Sequence, residues 1–91
     1  MPTSMKVKLC VVGSASGPID PEIARRARLV GRTAAERGCV LITGACPGYP
    51  HEAVLGAKEA NGLVIGISPA LCWSEHVHRY HAPWREYDVL V

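Results

Sequence analysis

The stretch VKLCVVGSASG at residues 7–17 has a counterpart in CVLITGACPG at residues 39–48. Each is an apolar, β-branched run followed by a turn with two glycines, and each precedes a segment with helical features. This composition is typical of parallel strands covered by helices, so the repeat predicts two β-α units. Glycines let the backbone approach a ligand closely, and a helix N-terminus presents N–H groups to an anion. Because parallel strands end at one sheet edge, the two turns predict a single ligand site held from both sides.

The composition is that of one small globular domain. The chain has 91 residues, of which 48% are hydrophobic and 20% are charged, and its net charge is +2. A chain of this length forms one domain at most, and this balance is ordinary for a globular protein. Half of the basic residues lie on the first predicted helix without interleaved aromatic residues, which favours a solvated face over a nucleic-acid surface. These residues are Arg25, Arg26, Arg28, Arg32 and Arg37.

Cysteine usage and hydropathy argue against secreted and membrane proteins. The chain has four cysteines without a CxxC pair, and it begins without a signal peptide. No apolar run comes near the roughly 18 residues that a membrane span requires. We therefore expect a cytoplasmic protein that has neither a membrane nor a nucleic acid as its partner.

The hydrophobic pattern predicts the element order β-α-β-α-β-loop-β. This order is typical of an α/β fold with a parallel sheet of three to four strands and covering helices. Strands are expected over residues 6–12, 39–42, 63–67 and 87–91, a long loop over residues 70–85, and a disordered tail over residues 1–5.

Both helices carry local boundary signals. Asp20 is placed as the cap of the first helix and Pro21 as its first residue, while Gly38 is placed to end it. The second helix is expected to begin near Tyr49. The first helix has an apolar face that we expect to pack on the sheet, formed by Ile19, Ile23, Ala27, Val30 and Ala34.

The two glycine turns form the candidate ligand site. A plain strand-to-helix connection needs one special residue, whereas the second turn combines Thr43, two glycines and Pro47. The first turn lacks the G-x-G-x-x-G spacing of dinucleotide sites, and its wider loop suits one phosphate or a nucleotide. Taken alone, the first turn is also consistent with a purely structural need for glycine. Together the turns predict ligand-binding residues at Gly13, Ser14, Gly17, Thr43, Gly44, Ala45 and Gly48.

Three further features have both a functional and a structural interpretation. Cys46, in the second turn, is either a nucleophile whose pKa a helix N-terminus lowers or a spectator. Glu52 either faces the ligand, as an acid, a base or a ribose ligand, or complements the helix dipole. One group of potential metal ligands lacks a second zinc-binding pair, so we expect hydrogen-bonded or solvated histidines and no metal site. This group comprises Cys72, His76, His78 and His81.

Four longer stretches resemble the LOG-like superfamily, whose members have carried the label "possible lysine decarboxylase". They are VVGSASGP at residues 11–18, GCVLITGACPGYPHEA at 38–53, AKEANG at 57–62 and VIGISPA at 64–70. The superfamily includes cytokinin riboside 5′-monophosphate phosphoribohydrolases and molybdenum cofactor carrier proteins. Residues 75–77 and 87–91 are most similar to the branch near the carriers.

The resemblance implies that residues 6–91 are the N-terminal half of a Rossmann-like domain with a doubly wound parallel sheet. It implies a phosphate-bearing ligand, either a nucleotide monophosphate or the molybdenum cofactor, and a homodimer or larger assembly. No resident cofactor is expected.

The resemblance leaves three functions open. One is N-glycosidic cleavage of a nucleoside monophosphate, the second is a non-enzymatic carrier, and the third is a small domain that acts only by assembly. The catalytic Arg and the PGGxGTxxE motif of the hydrolases have no counterpart in these residues, and Tyr49-Pro50-His51 replaces their Leu-Met-Gly stretch. Catalytic residues are therefore not assigned.

Overall fold

The predicted order of elements is present in the computed structural model, which describes residues 6–80 and 82–91. The tail expected at residues 1–5 lies outside the described residues. The long loop contains one π-helical turn, three of the strands are shorter than expected, and the second strand is shifted by one residue. The elements are β1 (Lys8–Val11), α1 (Pro21–Glu36), β2 (Val40–Thr43), α2 (Tyr49–Glu59), β3 (Val64–Gly66), the π-helical turn (Glu75–Arg79) and β4 (Val89–Leu90).

The strands form a parallel sheet in the order β1-β2-β3-β4. Leu9 pairs with Leu41 and Leu41 pairs with Val64, so these three residues share one face of the sheet. Each crossover connects a strand to its immediate neighbour in the sheet, and the direction is the same every time. Right-handed crossovers of this kind place their helices on the same face of the sheet. The α/β fold with a parallel sheet and covering helices is therefore confirmed.

Both ends of α1 lie where Asp20 and Gly38 predict them. The Asp20 carboxylate accepts hydrogen bonds from the backbone N–H groups of Glu22, at 2.8 Å, and Ile23, at 3.4 Å. Such a cap satisfies donors that have no partner within the helix. At the other end Gly38 has a φ of +75°, the left-handed conformation that commonly ends a helix.

The packing face of α1 differs from the predicted one. Ala34 of the predicted face is buried, but Ile23 and Val30 are about half exposed, at 47% and 48%, and Gly31, which was not predicted, is buried. A Cβ atom on Gly31 would overlap the carbonyl oxygen of Ala53 in α2, so the two helix backbones are in direct contact there. The prediction was wrong for the large residues Ile23 and Val30, because α1 packs against α2 through its small residues, such as Gly31 and Ala34.

The core lies between the sheet and α2. Its five fully buried members are Leu41, Ala53, Val54, Ala57 and Val64. The register places Cys10, Ile42 and Ile65 on the opposite face from Leu41, where Cys10 is exposed. None of the helices in the described ranges is long and apolar enough to cross a membrane.

Candidate functional site

The two glycine turns meet at the carboxyl edge of the sheet. The backbone N–H of Tyr49, the first residue of α2, donates to the carbonyl oxygen of Ser14 at 3.1 Å. A Cβ atom on Gly48 would overlap that same carbonyl, and Gly48 also has a φ of +87°. Glycine at position 48 is therefore required twice, by its backbone conformation and by the closeness of the first turn.

A cleft of about 220 Å³ opens beside the second turn. Ala15 of the first turn forms one side, and residues 44–47 of the second turn form its floor. The loop after β3 supplies the opposite wall through Pro69, Tyr80 and Ala82. Among the described residues, none that lines the cleft carries a formal charge, so a bound anion would depend on backbone N–H groups and the helix dipole.

The predicted site residues occupy three kinds of position. Gly44 and Ala45 line the cleft, and a Cβ atom on Gly44 would have no protein atom within 4 Å, so its α-carbon faces open space. A Cβ atom on Gly13 would lie 3.7 Å from Tyr49 and Pro50, so Gly13 faces the start of α2 and does not line the cleft. Gly17 has a φ of +87° and lies apart, with no neighbour within 4 Å of a Cβ position.

Thr43 serves the second turn through its side chain. It is 2% exposed, and its Oγ1 atom accepts a hydrogen bond from the backbone N–H of Ala45 at 3.1 Å. The same oxygen lies 2.8 Å from the Tyr87 hydroxyl. Ala45 has a φ of +55°, a conformation that a non-glycine residue rarely adopts and that concentrates at functional sites. Sequence reasoning missed Tyr87, which was assigned only to the edge strand.

The Glu52 side chain pairs with an arginine of α1. Its Oε1 atom accepts a hydrogen bond from Arg28 of α1 at 2.9 Å. The side chain therefore joins α1 to α2, and the arginine neutralises the carboxylate. Of the two interpretations of Glu52, this pairing favours a structural role, and the partner could not be predicted because it lies 24 residues earlier in the chain.

Cys46 does not have the lowered pKa of a nucleophile. Burial of the thiol raises its pKa, and this effect outweighs the opposing hydrogen bond to its own backbone. A thiol with a raised pKa carries little of the reactive thiolate. Of the two interpretations, the geometry supports the spectator.

His76 is a structural histidine. It is 1% exposed, its Nε2–H donates to the carbonyl oxygen of Pro83 at 2.8 Å, and its Nδ1 lies 2.6 Å from the Ser68 hydroxyl. When the ring is neutral with its proton on Nε2, Nδ1 accepts a hydrogen bond from the Ser68 hydroxyl. These two bonds tie together the ends of the loop that walls the cleft. The sequence predicts hydrogen-bonded or solvated histidines in this segment, but it does not identify the partners Ser68 and Pro83.

The other histidines of the predicted group have separate environments. The His78 ring packs edge-on against Trp73, with ring centroids 6.2 Å apart, and His81 lies outside the described residues. Within the described part of the chain, no three metal-ligating side chains of His, Cys, Asp or Glu converge.

The sequence and the structure of this chain were compared with those of known proteins. A family model described as the SLOG cluster4 family matches residues 6–91. No curated protein matches the chain.

Two solved structures are similar along nearly the whole chain. The molybdenum cofactor carrier protein from Chlamydomonas reinhardtii is 27% identical with a TM-score of 0.79, over 96% of this chain and 49% of that one. The molybdenum cofactor binding protein from the phototrophic bacterium Rippkaea orientalis is 30% identical with a TM-score of 0.77, over 98% of this chain and 50% of that one. The chain thus spans about half the length of these proteins.

Proposed function

The chain belongs to the SLOG cluster4 family, and we propose that it binds a phosphate-bearing small molecule in the cleft between its two glycine turns. The observation that carries this proposal is the uncapped N-terminus of α2. Its N-cap residue is Gly48, which provides no side-chain hydrogen bond. The Ser14 carbonyl takes the N–H of Tyr49 and Pro50 has none, so a bound anion would depend on the N–H groups of the second turn and on the partial positive charge of the helix dipole.

A carrier function is favoured over hydrolysis for this site. The two similar structures are proteins that carry or bind the molybdenum cofactor. In the part of the chain that the structure describes, no carboxylate lines the cleft, and Glu52 is paired with Arg28. Loss of a base from a nucleoside monophosphate needs an acid or base at the reacting atoms, which these residues do not supply. The molybdenum cofactor is therefore the proposed cargo, and a nucleotide monophosphate is the alternative ligand.

The proposal is tested with a variant that fills the cleft without disturbing the fold. Gly44→Val adds a side chain where the structure has open space, and Gly44 does not have a positive φ. We expect wild-type protein to bind AMP, inorganic phosphate and molybdenum cofactor released from a molybdoenzyme. Gly44→Val should lose this binding in calorimetry while keeping its far-UV circular dichroism spectrum.

Ser74→Val is the matched control, because Ser74 is exposed and makes no capping hydrogen bond at the start of the π-helical turn. It should bind like the wild type. Equal affinity of the wild type and Gly44→Val would contradict the proposed site. Release of adenine from AMP would favour the hydrolase.

The resemblance also implies a homo-oligomer, and the sheet face opposite the helices supports this expectation. On that face Cys10 is exposed and Val89 is 46% exposed, so apolar surface is open to a partner. Sedimentation velocity at micromolar concentration should give a species of at least twice the chain mass. A single monomeric species across the concentration range would exclude the assembly.

A further inference from the structure

A short chain of hydrogen bonds connects Tyr87, two residues before β4, to the second glycine turn. The Tyr87 hydroxyl lies 2.8 Å from Oγ1 of Thr43, and this oxygen accepts the backbone N–H of Ala45 at 3.1 Å. Tyr87 is separated from Thr43 by 44 residues. The second turn, which follows β2 directly, is thus attached to a residue from the far end of the chain.

The second turn needs such an attachment. Ala45 holds a φ of +55° although it is not glycine, and it is 1% exposed. A strained backbone conformation persists only where surrounding contacts determine it. For Ala45 these contacts are the hydrogen bond to Thr43 on one side and, on the other, close packing of its Cβ near Gly66.

The position of Tyr87 is itself well determined. A Cβ atom on Gly66 would lie 2.7 Å from two carbons of the Tyr87 ring, so only glycine leaves room for the ring over β3. The next residue, Asp88, accepts hydrogen bonds from the backbone N–H of Val64 and from Lys58 Nζ, both at 2.8 Å. Burial raises the pKa of Tyr87, so its hydroxyl keeps its proton at neutral pH.

We propose that Tyr87 is the positioning residue of the ligand site: its hydroxyl, acting through Thr43, holds the second turn in the conformation that forms the cleft floor. This inference rests on the proposed function, because it concerns the same site. Tyr87 is not among the residues that line the cleft. Its effect on affinity is exerted only through the conformation of residues 44–48.

The test compares variants that remove single hydrogen-bonding groups. Tyr87→Phe removes the hydroxyl and keeps the ring over Gly66, while Thr43→Val keeps the side-chain shape. Asp88→Asn is the matched control, because it weakens the neighbouring attachment of the same segment to Lys58 and does not touch the second turn. Binding is measured by calorimetry with AMP, and amide hydrogen exchange of Ala45 is measured by NMR without ligand.

We expect Tyr87→Phe to weaken AMP binding about five- to tenfold, as loss of one partly buried hydrogen bond predicts. The Ala45 amide should exchange faster in Tyr87→Phe, while amides of the first turn stay unchanged. The Tyr87→Phe/Thr43→Val double variant should bind no more weakly than Thr43→Val, since both changes break one chain of bonds. Asp88→Asn should leave the AMP affinity and the Ala45 amide as in the wild type.

Several results would overturn the inference. They are unchanged AMP affinity in Tyr87→Phe, additive effects in the double variant, and equal effects of Asp88→Asn and Tyr87→Phe. Failure of the wild type to bind AMP, phosphate and the molybdenum cofactor would contradict the proposed function instead. The exchange of Ala45 would then decide by itself whether Tyr87 holds the turn.

Discussion

Helices α1 and α2 follow neighbouring strands, but their N-termini are capped differently. At α1 the Asp20 carboxylate occupies the N–H groups of Glu22 and Ile23. At α2 the cap is Gly48, which has no side chain to offer and lies against the first turn. The Asp20 side chain thus caps α1, whereas no side chain caps α2, where the Ser14 carbonyl takes the N–H of Tyr49 and Pro50 has none. This difference supports the proposal that a ligand binds at the second turn and that the first turn holds the second turn in place.

The largest expected effect comes from a comparison of Gly48 with Gly17, which share a φ of +87°. Gly48→Ala adds a Cβ that overlaps the Ser14 carbonyl, whereas Gly17→Ala adds one in open space. The positive φ alone costs about 1–3 kcal/mol in either variant. We expect Gly48→Ala to lose about 3 kcal/mol or more in urea unfolding, since overpacking is added to that cost. Equal losses would mean that the turns are not in close contact.

Removal of the α1 cap should affect stability without affecting binding. Asp20→Ala leaves two N–H groups of α1 without their side-chain acceptor and should lower the free energy of unfolding by about 1 kcal/mol. The AMP affinity should stay within a factor of two, because α1 does not provide the site. Asp20→Asn, which keeps a capping oxygen, should recover most of the stability. If Asp20→Ala abolished AMP binding, the assignment of the ligand to α2 would be wrong.

A smaller effect is expected from the first-turn carboxylate of α2. Glu52→Gln removes the negative charge from the ion pair with Arg28. The Glu52 side chain is 24% exposed and the Arg28 side chain is 42% exposed. Pairs with this exposure contribute less than about 1 kcal/mol, because solvent screens them. Chemical unfolding should register this loss, and AMP binding should remain. A large loss of binding would restore Glu52 as a ligand-facing residue.

The smallest effect is a pH dependence at the start of α1. The hydrogen bond from Arg25 and its charge lower the pKa of Glu22 below its usual value of 4.5. Because the folded pKa is the lower one, the stabilisation is complete above about pH 4.5 and is lost as the pH falls through the folded pKa. Thermal unfolding from pH 6 to pH 3 should show a slightly shallower acid decline for Glu22→Gln. An identical decline would mean that this exposed pair contributes nothing.

Features decided by neighbouring residues in the chain could be predicted. Asp20 caps α1 through residues two and three positions later, and Gly38 ends the helix from the adjacent position. The meeting of the two turns followed from parallel pairing, which brings the ends of β1 and β2 to one edge. Each of these features depends on short-range geometry or on a general property of parallel sheets.

Features decided by distant partners could not be predicted. The buried face of α1 depends on α2, where Gly31 meets Ala53, and the neutralisation of Glu52 depends on Arg28. The raised pKa of Cys46 comes from burial, which the sequence of the second turn does not specify.

The sequence by itself determined the order of the elements, the caps of α1 and the location of the candidate site, because backbone conformation and hydrophobic periodicity are set within a few residues. Only the tertiary structure decided which side chains serve that site. The buried Thr43 hydroxyl forms a hydrogen bond with Tyr87, and the His76 ring forms hydrogen bonds with both Ser68 and Pro83. The reason is physical: hydrogen-bond partners and desolvation are properties of the packed chain, and they exist only once distant segments are in contact.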